Sequence, residues 1–108
     1  MKKTIALLSI AMLAMLYSSD SSGKESHAIS GEKEFKEHCA VCHPDGGNIV
    51  NPKKTLHKKD REMNNIKTAA DIMGKMRNPG PGMTKFSKTD ITDAEARAIA
   101  KYILKTFN

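Results

Sequence analysis

Residues 39 to 43 read Cys-Ala-Val-Cys-His, and the sequence contains no other cysteine. Two thiols followed directly by an imidazole constrain the fold more than any other feature, because the chain must close around whatever they hold. Four uses fit such a cluster: a disulfide, a zinc site, a thiol-disulfide exchange couple and a covalently bound cofactor. The rest of the sequence discriminates between them.

The N-terminal segment predicts export. Lys2 and Lys3 precede an apolar run over residues 5–17, which gives way to the polar sequence SSDSSGKES. A charged start followed by an apolar stretch too short to span a bilayer comfortably is the layout of a secretory signal peptide. We therefore assign residues 1–18 to a signal peptide, residues 19–29 to a flexible polar linker and residues 30–108 to the folded domain.

The expected cleavage point has a second interpretation. Leu16-Tyr17-Ser18-Ser19 resembles the lipobox of bacterial lipoproteins, in which the cysteine that takes the lipid follows a small residue. Ser19 stands where that cysteine would be, so one hypothesis is that the natural protein is a lipoprotein whose anchor this sequence lacks. An ordinary cleaved signal is the alternative. Either one predicts an exported protein, in the periplasm or anchored to the bacterial outer membrane.

Three segments have the pattern of α-helices, and none alternates as a β-strand would. Ser30 is the expected N-cap of the first and Thr68 of the second, and Thr92 with Glu95 forms a capping box that begins the third. Each segment carries apolar residues at helical spacing on one face. The sequence thus predicts an all-α domain.

Two long irregular stretches, HPDGGNIVNPKKT and NPGPGMTKFSK, separate these helices. Loops of this length are uncommon in so small a domain unless they wrap something. Gly46-Gly47 and the Pro-Gly-Pro-Gly run at 79–82 permit turns and close backbone approach. We expect the loops to surround a ligand.

Cys-x-x-Cys-His is the attachment sequence for c-type haem. Each thiol adds across one vinyl group of the porphyrin, and the histidine after the second cysteine can be the proximal iron ligand. Zinc would need four closed ligands, and beyond Cys39, Cys42 and His43 or His57 there is no second pair at finger spacing. A thioredoxin-like couple expects a βαβ context, and a disulfide between residues three apart closes too small a loop to stabilise much.

With these residues in place, the sequence resembles the class I monohaem cytochromes c, and most of all the cytochromes c6 that carry electrons in photosynthetic cells. The resemblance covers residues 31–107 and implies a small cytochrome c fold, with three or more helices wrapped around one covalently attached haem. The matching segments are Gly31-x-x-x-Phe35-x-x-x-Cys39, CxxCH followed by GGN and PKKTL, Gly82-Met83-Thr84-Lys85-Phe86, and ITDAEARAIAKYILK.

The resemblance implies that Cys39 and Cys42 are the thioether anchors of one haem c, His43 the proximal iron ligand and Met83 the distal one. The family usually has proline after the ligating methionine, where this chain has Thr84. The residues themselves also favour Met83, because a side chain on a Gly/Pro-rich loop can be aimed at an iron instead of a neighbouring helix.

The other candidate iron ligands fit less well. Met73 and Met76 lie on the apolar face of a predicted helix and are interpreted as core residues. His57 is the rival distal ligand, although its flanking lysines favour a solvent-facing side chain. The remaining histidines, His27 and His38, are interpreted as surface residues.

The net charge of the protein indicates which kinds of partner it can bind. Removing Lys2 and Lys3 leaves 16 basic residues against 12 acidic ones, a net charge of +4, which favours brief encounters with acidic surfaces of other redox proteins such as cytochromes or a terminal reductase. The densest basic stretch, PKKTLHKKDR at 52–61, has no aromatic residue for base stacking, so nucleic acid is not expected. We interpret this stretch as a solvated face or a docking patch. Membrane contact is expected only through a lipid anchor.

The function expected is that of an exported single-electron carrier and not of an enzyme, because an iron with histidine and methionine ligands has no open coordination position. Two alternatives stay open. One is a haem sensor or peroxidase-like protein in which Met83 leaves the iron. The other is a thiol-disulfide exchange protein without haem.

Overall fold

The computed structural model describes residues 28–108. The predicted signal peptide at 1–18, most of the linker at 19–29 and His27 lie outside the described residues. Within residues 28–108 the chain forms helices and no strand, so the predicted all-α class is confirmed. None of these helices is long and apolar enough to cross a membrane. In chain order the elements are α1 (Gly31–His38), a 3-10 turn (Pro44–Gly46), α2 (Lys58–Met63), α3 (Ala69–Arg77) and α4 (Asp93–Thr106).

The three predicted helix starts are confirmed by their caps. Ser30 Oγ accepts a hydrogen bond from the backbone N–H of Lys33 at 3.2 Å and begins α1. Thr92 and Glu95 form a reciprocal capping box at the start of α4, with distances of 3.0 and 3.2 Å. Thr68 caps α3 in the same way. Each cap satisfies backbone donors that the first helical turn leaves free.

The core lies where α4 packs against α1 and α3. Ile91 and Ile99 are completely buried, and burying an isoleucine side chain contributes roughly 1.5–3 kcal/mol. Ile91 just before α4 and Ala96 within it are both inaccessible and lie at the positions of a hydrophobic staple across the start of the helix. The buried apolar residues are Phe35, Ile72, Met76, Ile91, Ala96, Ile99, Ala100, Ile103 and Phe107.

α1 and α4 cross unusually closely at Gly31. A Cβ atom built at this position would lie 2.2 Å from the carbonyl oxygen of Ala98, so only glycine fits. One turn further along, the ring of Phe35 lies against those of Tyr102 and Phe107, with centroid distances of 5.3 and 5.4 Å. The crossing fixes the C-terminal end of α1, where the Cys-x-x-Cys-His sequence begins.

The helix α2 was not predicted from the sequence. Its residues, KKDREM, have no apolar face, and it is held instead by Arg61, which is only 4% exposed. The Nε of Arg61 donates to the carbonyl of Leu56 at 2.7 Å, and Nη2 donates to the carbonyl of Phe107 at 3.2 Å. The interpretation of residues 52–61 as a solvated face is therefore wrong for Arg61, because its guanidinium replaces water with backbone carbonyls.

Candidate cofactor site

A single cavity of about 280 Å³ is lined by all four residues predicted to bind the cofactor. Cys39, Cys42 and His43 approach it from the end of α1, and Met83 approaches it from the loop between α3 and α4. The two long irregular stretches both contribute to the lining, as their length predicts. The fold therefore brings the two parts of the predicted site together across 40 residues of sequence.

The Cys-x-x-Cys-His sequence forms one compact turn. Cys39 is the C-cap of α1, and its carbonyl accepts hydrogen bonds from the backbone N–H groups of Cys42 at 3.1 Å and His43 at 2.9 Å. Both thiols and the imidazole line the cavity. The short spacing thus fixes three reactive side chains on one wall.

The imidazole of His43 has a defined orientation. Its Nδ1 donates a hydrogen bond to the carbonyl oxygen of Gly47 at 2.8 Å. A carbonyl can only accept, so the proton is on Nδ1 and the lone pair of Nε2 is available for a metal. Backbone carbonyls commonly orient metal-binding histidines in this way.

The return of the chain toward Gly47 depends on left-handed backbone conformations. Asp45 and Gly46 have φ values of 53° and 78° in the turn that follows His43. A Cβ atom at Gly46 would lie 2.4 Å from the ring of Phe107, so the glycine is required by space as well as by conformation. The predicted close approach at Gly46 is confirmed.

Asn48 organises the loop that follows. Its Oδ1 accepts from the backbone N–H groups of Val50 and Asn51, both at 2.9 Å, and its Nδ2 donates to the carbonyl of Lys54 at 2.9 Å. These bonds satisfy a loop that has no secondary structure of its own. This role of Asn48 was not predicted from the sequence, although clusters of glycine and asparagine mark turns and loops.

The loop that carries Met83 packs against the loop that Asn48 organises. Gly82 has a φ of 89°, and a Cβ atom there would lie 2.8 Å from Cγ1 of Val50. The backbone N–H of Phe86 donates to the carbonyl of Met76 at 2.9 Å and fixes the far end of the loop. The side chain of Met83 lines the cavity and is 37% exposed.

The cavity is lined by both apolar and polar side chains. The apolar side chains come from several elements of the domain and would exclude water from a flat aromatic ligand. The polar side chains carry amide, hydroxyl and charged groups. The apolar lining includes Leu56, Ile66, Ile72, Met76, Phe86 and Ile103, and the polar lining includes Asn48, Asn51, Thr55, Asp60, Arg61 and Asn64.

Arg61 is a functional candidate that was not predicted from the sequence. It is the one buried charged side chain in the described part of the chain, and it lines the cavity. No carboxylate lies within ion-pair distance of it among residues 28–108. A buried cation without a protein counterion favours an anionic group in the ligand. No local sequence pattern distinguishes Arg61 from the lysines around it.

The thiol of Cys39 is poorly suited to exchange chemistry. Burial raises its pKa to about 11, whereas reactive exchange cysteines have lowered pKa values that keep a thiolate at neutral pH. A protonated thiol in an apolar wall suits addition to a bound ligand during maturation better than repeated turnover. The local environment therefore disfavours the thiol-disulfide alternative.

The other candidate ligands lie elsewhere. His57 is exposed, is absent from the cavity lining and packs its ring edge on Phe107 at 5.8 Å. Met73 and Met76 belong to the core, as predicted, and Met76 also reaches the cavity.

The prediction that His38 is a surface residue is confirmed only in part, because 31% of its side chain is exposed. His38 is half-buried at the rim of the cavity, with Nε2 3.4 Å from Glu34 and its ring against Phe86. The pairing with Phe86 depends on a distant loop, which a local sequence pattern does not reveal.

The donor set fits c-type haem. Two thiols three residues apart can form the two thioethers, an imidazole with a free Nε2 follows directly, and a thioether side chain lies on a second loop of the same cavity. The apolar lining suits a porphyrin face. Arg61 suits an ionised propionate.

Comparisons with known proteins agree with this chemistry. Residues 27–103 match a family model described as cytochrome c oxidase, cbb3-type, subunit III. Cytochrome c6 of Cyanidium caldarium is 31% identical over 104 residues, which are 96% of this chain and 94% of that protein. Cytochrome c6 of Synechocystis sp. (strain PCC 6803) is 32% identical over 100 residues, covering 93% and 82% of the two chains.

Solved structures show the same likeness. OmcF, outer membrane cytochrome F of Geobacter sulfurreducens, superposes with a TM-score of 0.71 at 46% identity, covering 73% of this chain and all of that one (100%). Cytochrome c6C of Synechococcus sp. PCC 7002 gives a TM-score of 0.64 at 29% identity, covering 71% and 93%. Both proteins are matched over nearly their whole length.

Proposed function

This chain belongs to the class I monohaem cytochromes c and is similar to cytochrome c6, and on that premise we propose that it carries single electrons between redox proteins. We propose one haem c, attached through Cys39 and Cys42, with His43 as proximal and Met83 as distal iron ligand. The observation that carries this proposal is that these four side chains, from two distant loops, line one cavity.

Each of these residues would contribute in its own way to holding the haem. The thiols of Cys39 and Cys42 would hold the group by adding across its two vinyl groups, with the S–H hydrogen of each moving to a vinyl carbon so that no atom is lost. The hydrogen bond from Nδ1 to Gly47 would select the tautomer of the neutral His43 imidazole that has its lone pair on Nε2, and it fixes the orientation of the ring. Haem, when bound, supplies an iron that takes up and releases one electron.

The ligand types determine the use of the iron. A methionine thioether opposite histidine raises the reduction potential compared with two histidines. When both positions are filled by the protein, no position is left for oxygen or peroxide. We therefore propose outer-sphere electron transfer without substrate turnover.

Arg61 would hold the polar edge of the cofactor. Its guanidinium is buried, and Nε and Nη2 are engaged with the carbonyls of Leu56 and Phe107. Its remaining donors and its charge favour an ionised propionate at the edge of the cavity. A fixed cation near the iron also stabilises the more reduced state, so Arg61 would contribute to a high potential.

The surface around the cavity suits brief docking. Val41, Val50 and Met83 line the cavity and are 76%, 57% and 37% exposed, so its mouth has an apolar rim. The exposed lysines Lys53 and Lys54 lie in the adjoining loop. A small apolar contact with nearby charges is typical of weak, short-lived redox complexes, and its partners would be acidic redox proteins such as cytochromes or a terminal reductase.

We propose an exported location, in the periplasm or associated with the outer membrane. The signal-like sequence at 1–18 and the lipobox-like residues ending at Ser19 support export. The likeness to a protein named outer membrane cytochrome F supports the same compartment.

A haem sensor or peroxidase-like function is the second candidate, because the backbone next to Met83 makes few hydrogen bonds. Within the loop, the backbone N–H of Met83 makes one long bond of 3.4 Å to Gly80, and Thr84 stands where the family usually has proline. A labile Met83 would open the iron to carbon monoxide or peroxide.

The test is Met83→Leu in the haem-loaded protein, with Met63→Leu as control, since Met63 is 72% exposed on α2 and outside the cavity lining. Met83→Leu should lower the midpoint potential and allow the reduced protein to bind carbon monoxide, whereas Met63→Leu should change neither. Rapid binding of carbon monoxide by the unmodified protein would favour the sensor. An unchanged potential in Met83→Leu would overturn the ligand assignment.

A further inference from the structure

A row of cations runs along the outer side of α4. Arg97, Lys101 and Lys105 are spaced four residues apart and are all exposed. None of them pairs with a carboxylate within the described residues, whereas other cations of the same region do. The paired cations are Lys33, Lys36, Arg77 and Lys88. Three unpaired charges in one row are available to an anionic partner.

These cations border a shallow apolar groove at the crossing of α1 and α4. The groove is also lined by Ile29, which is 43% exposed, and by Ala94 and Tyr102. Its one carboxylate, Glu32, is bound to Lys36 at 2.6 Å. We define the α4 basic face as Arg97, Lys101 and Lys105 with this groove. It combines a net positive charge with apolar surface.

The α4 basic face is separate from the cofactor cavity. No residue lines both. On α4 itself, Ile103 reaches the cavity, while Lys101 and Lys105 lie on the outer side. A partner on this face would therefore leave the apolar rim of Val41, Val50 and Met83 accessible.

We propose that the α4 basic face rests on an anionic phospholipid surface. This inference rests on the outer-membrane association proposed above. Ile29, where the chain enters the domain, lies in the groove itself, and the ten residues from 19 to 28 reach at most about 36 Å when extended. A contact that holds the N-terminus at a bilayer would therefore keep this face within about 36 Å of the headgroups. Lysine and arginine beside exposed apolar side chains match the chemistry of such a surface.

The expected effect can be estimated from charge. Each basic residue close to an anionic membrane surface contributes about 1 kcal/mol, which is roughly fivefold in affinity. Three such residues should make a preference for anionic lipid that is easily measured. The preference should weaken as salt is added, because the contact is exposed.

The test is co-sedimentation of the full, exported, haem-loaded protein with vesicles of phosphatidylcholine alone and of an equal mixture with phosphatidylglycerol. Binding to the neutral vesicles measures any contribution of the N-terminus. The ratio of the affinity for the mixed vesicles to the affinity for the neutral vesicles measures the contribution of the α4 basic face. The variant Arg97→Gln/Lys101→Gln/Lys105→Gln should reduce the ratio by roughly tenfold or more. The matched control, Lys53→Gln/Lys58→Gln/Lys59→Gln, removes the same charge from the exposed basic run and should retain the ratio.

Two results would overturn the inference. One is that the unmodified protein shows no preference for phosphatidylglycerol; the α4 basic face would then bind an acidic protein or no partner. The other is that both triple variants lose binding equally; the preference for anionic vesicles would then be an effect of net charge. Neither result depends on electron transfer, because a protein that failed as a carrier would still give a vesicle-binding ratio. Helix content by circular dichroism checks that the variants fold.

Discussion

The guanidinium of Arg61 donates a hydrogen bond to the carbonyl of Phe107 at 3.2 Å, across 46 residues of sequence. The same side chain donates to Leu56 at 2.7 Å, and the backbone N–H of Lys58 also donates to Phe107 at 2.9 Å. Arg61 therefore ties the helix α2 to the end of α4 and places a cation in the lining of the cofactor cavity.

Replacing Arg61 should destabilise the protein. Arg61→Met keeps most of the aliphatic bulk but leaves the carbonyl of Leu56 without its donor, and we expect a loss of about 3 kcal/mol in the free energy of unfolding. Urea unfolding of the haem-loaded protein measures this loss. Lys59→Met, on an exposed position of the same helix, is the matched control and should change stability little. Equal stability of the two variants would show that the buried guanidinium has no structural role.

Two glycine-to-alanine changes should have opposite effects. In Gly31→Ala the new Cβ would lie 2.2 Å from the carbonyl oxygen of Ala98, so α1 and α4 must separate, at a cost of roughly 1–3 kcal/mol or more. Gly74→Ala lies within α3 and meets nothing within 4 Å, so the higher helix propensity of alanine should stabilise the protein by about 1 kcal/mol. Thermal unfolding of the two variants distinguishes them by sign. Stabilisation by Gly31→Ala would contradict the close crossing.

Acid should weaken the start of α3. The backbone N–H groups of Lys67 and Thr68 donate to the Asp71 carboxylate, both at 2.9 Å, and hold the pKa of Asp71 below its ordinary value of 3.8. A carboxyl with a lower pKa in the folded state stabilises the fold above its unfolded pKa, and this contribution is lost as the pH falls through the folded pKa. Asp71→Asn should thus be less stable than the unmodified protein near neutral pH, and the difference should shrink below pH 3.8.

Urea unfolding across this pH range measures the difference. Glu62→Gln, which changes an exposed carboxylate of α2 outside any capping box, is the comparison. A difference between Asp71→Asn and the unmodified protein that grows as the pH falls would contradict the assigned role of Asp71.

The lysines beside the cavity should steer anionic reactants. Lys54 lines the cavity and Lys53 precedes it, both exposed. Lys53→Glu/Lys54→Glu should slow oxidation of the reduced protein by hexacyanoferrate(III) several-fold at low salt, and the difference should disappear at high salt as the charges are screened. Lys101→Glu/Lys105→Glu carries the same change in net charge on α4 and should slow the reaction less. If both double variants slowed the reaction equally, Lys53 and Lys54 would have no specific role in docking.

Local signals made much of this fold predictable. α1, α3 and α4 begin at capping residues that satisfy their own first turns, and these contacts lie within four residues of sequence. The staple of Ile91 and Ala96 is equally local. For the same reason the Cys-x-x-Cys-His turn was predictable, because its spacing alone brings Cys39 and His43 to one wall.

Long-range contacts account for what the sequence did not predict. α2 has no apolar periodicity from which a helix could be predicted. It is held by Arg61, and one of the two carbonyl partners of Arg61 lies 46 residues away. His38 belongs to the cavity rim because Phe86 returns from a distant loop to meet it. Asn48 makes three hydrogen bonds within its own loop, so its role could have been predicted from the sequence. The role of Arg61 could not, because only the tertiary structure distinguishes Arg61 from the neighbouring cations.

We propose that one covalently bound haem with histidine and methionine ligands occupies the cavity lined by Cys39, Cys42, His43 and Met83. The test is visible absorption of the exported protein, oxidised and reduced, after acid-acetone extraction of loose haem. We predict narrow low-spin bands that survive extraction, with the weak near-red band of sulfur-to-iron charge transfer in the oxidised form. Covalent haem without that band would contradict Met83 as the ligand, and the absence of bound haem would contradict the assignment of the cavity to a haem.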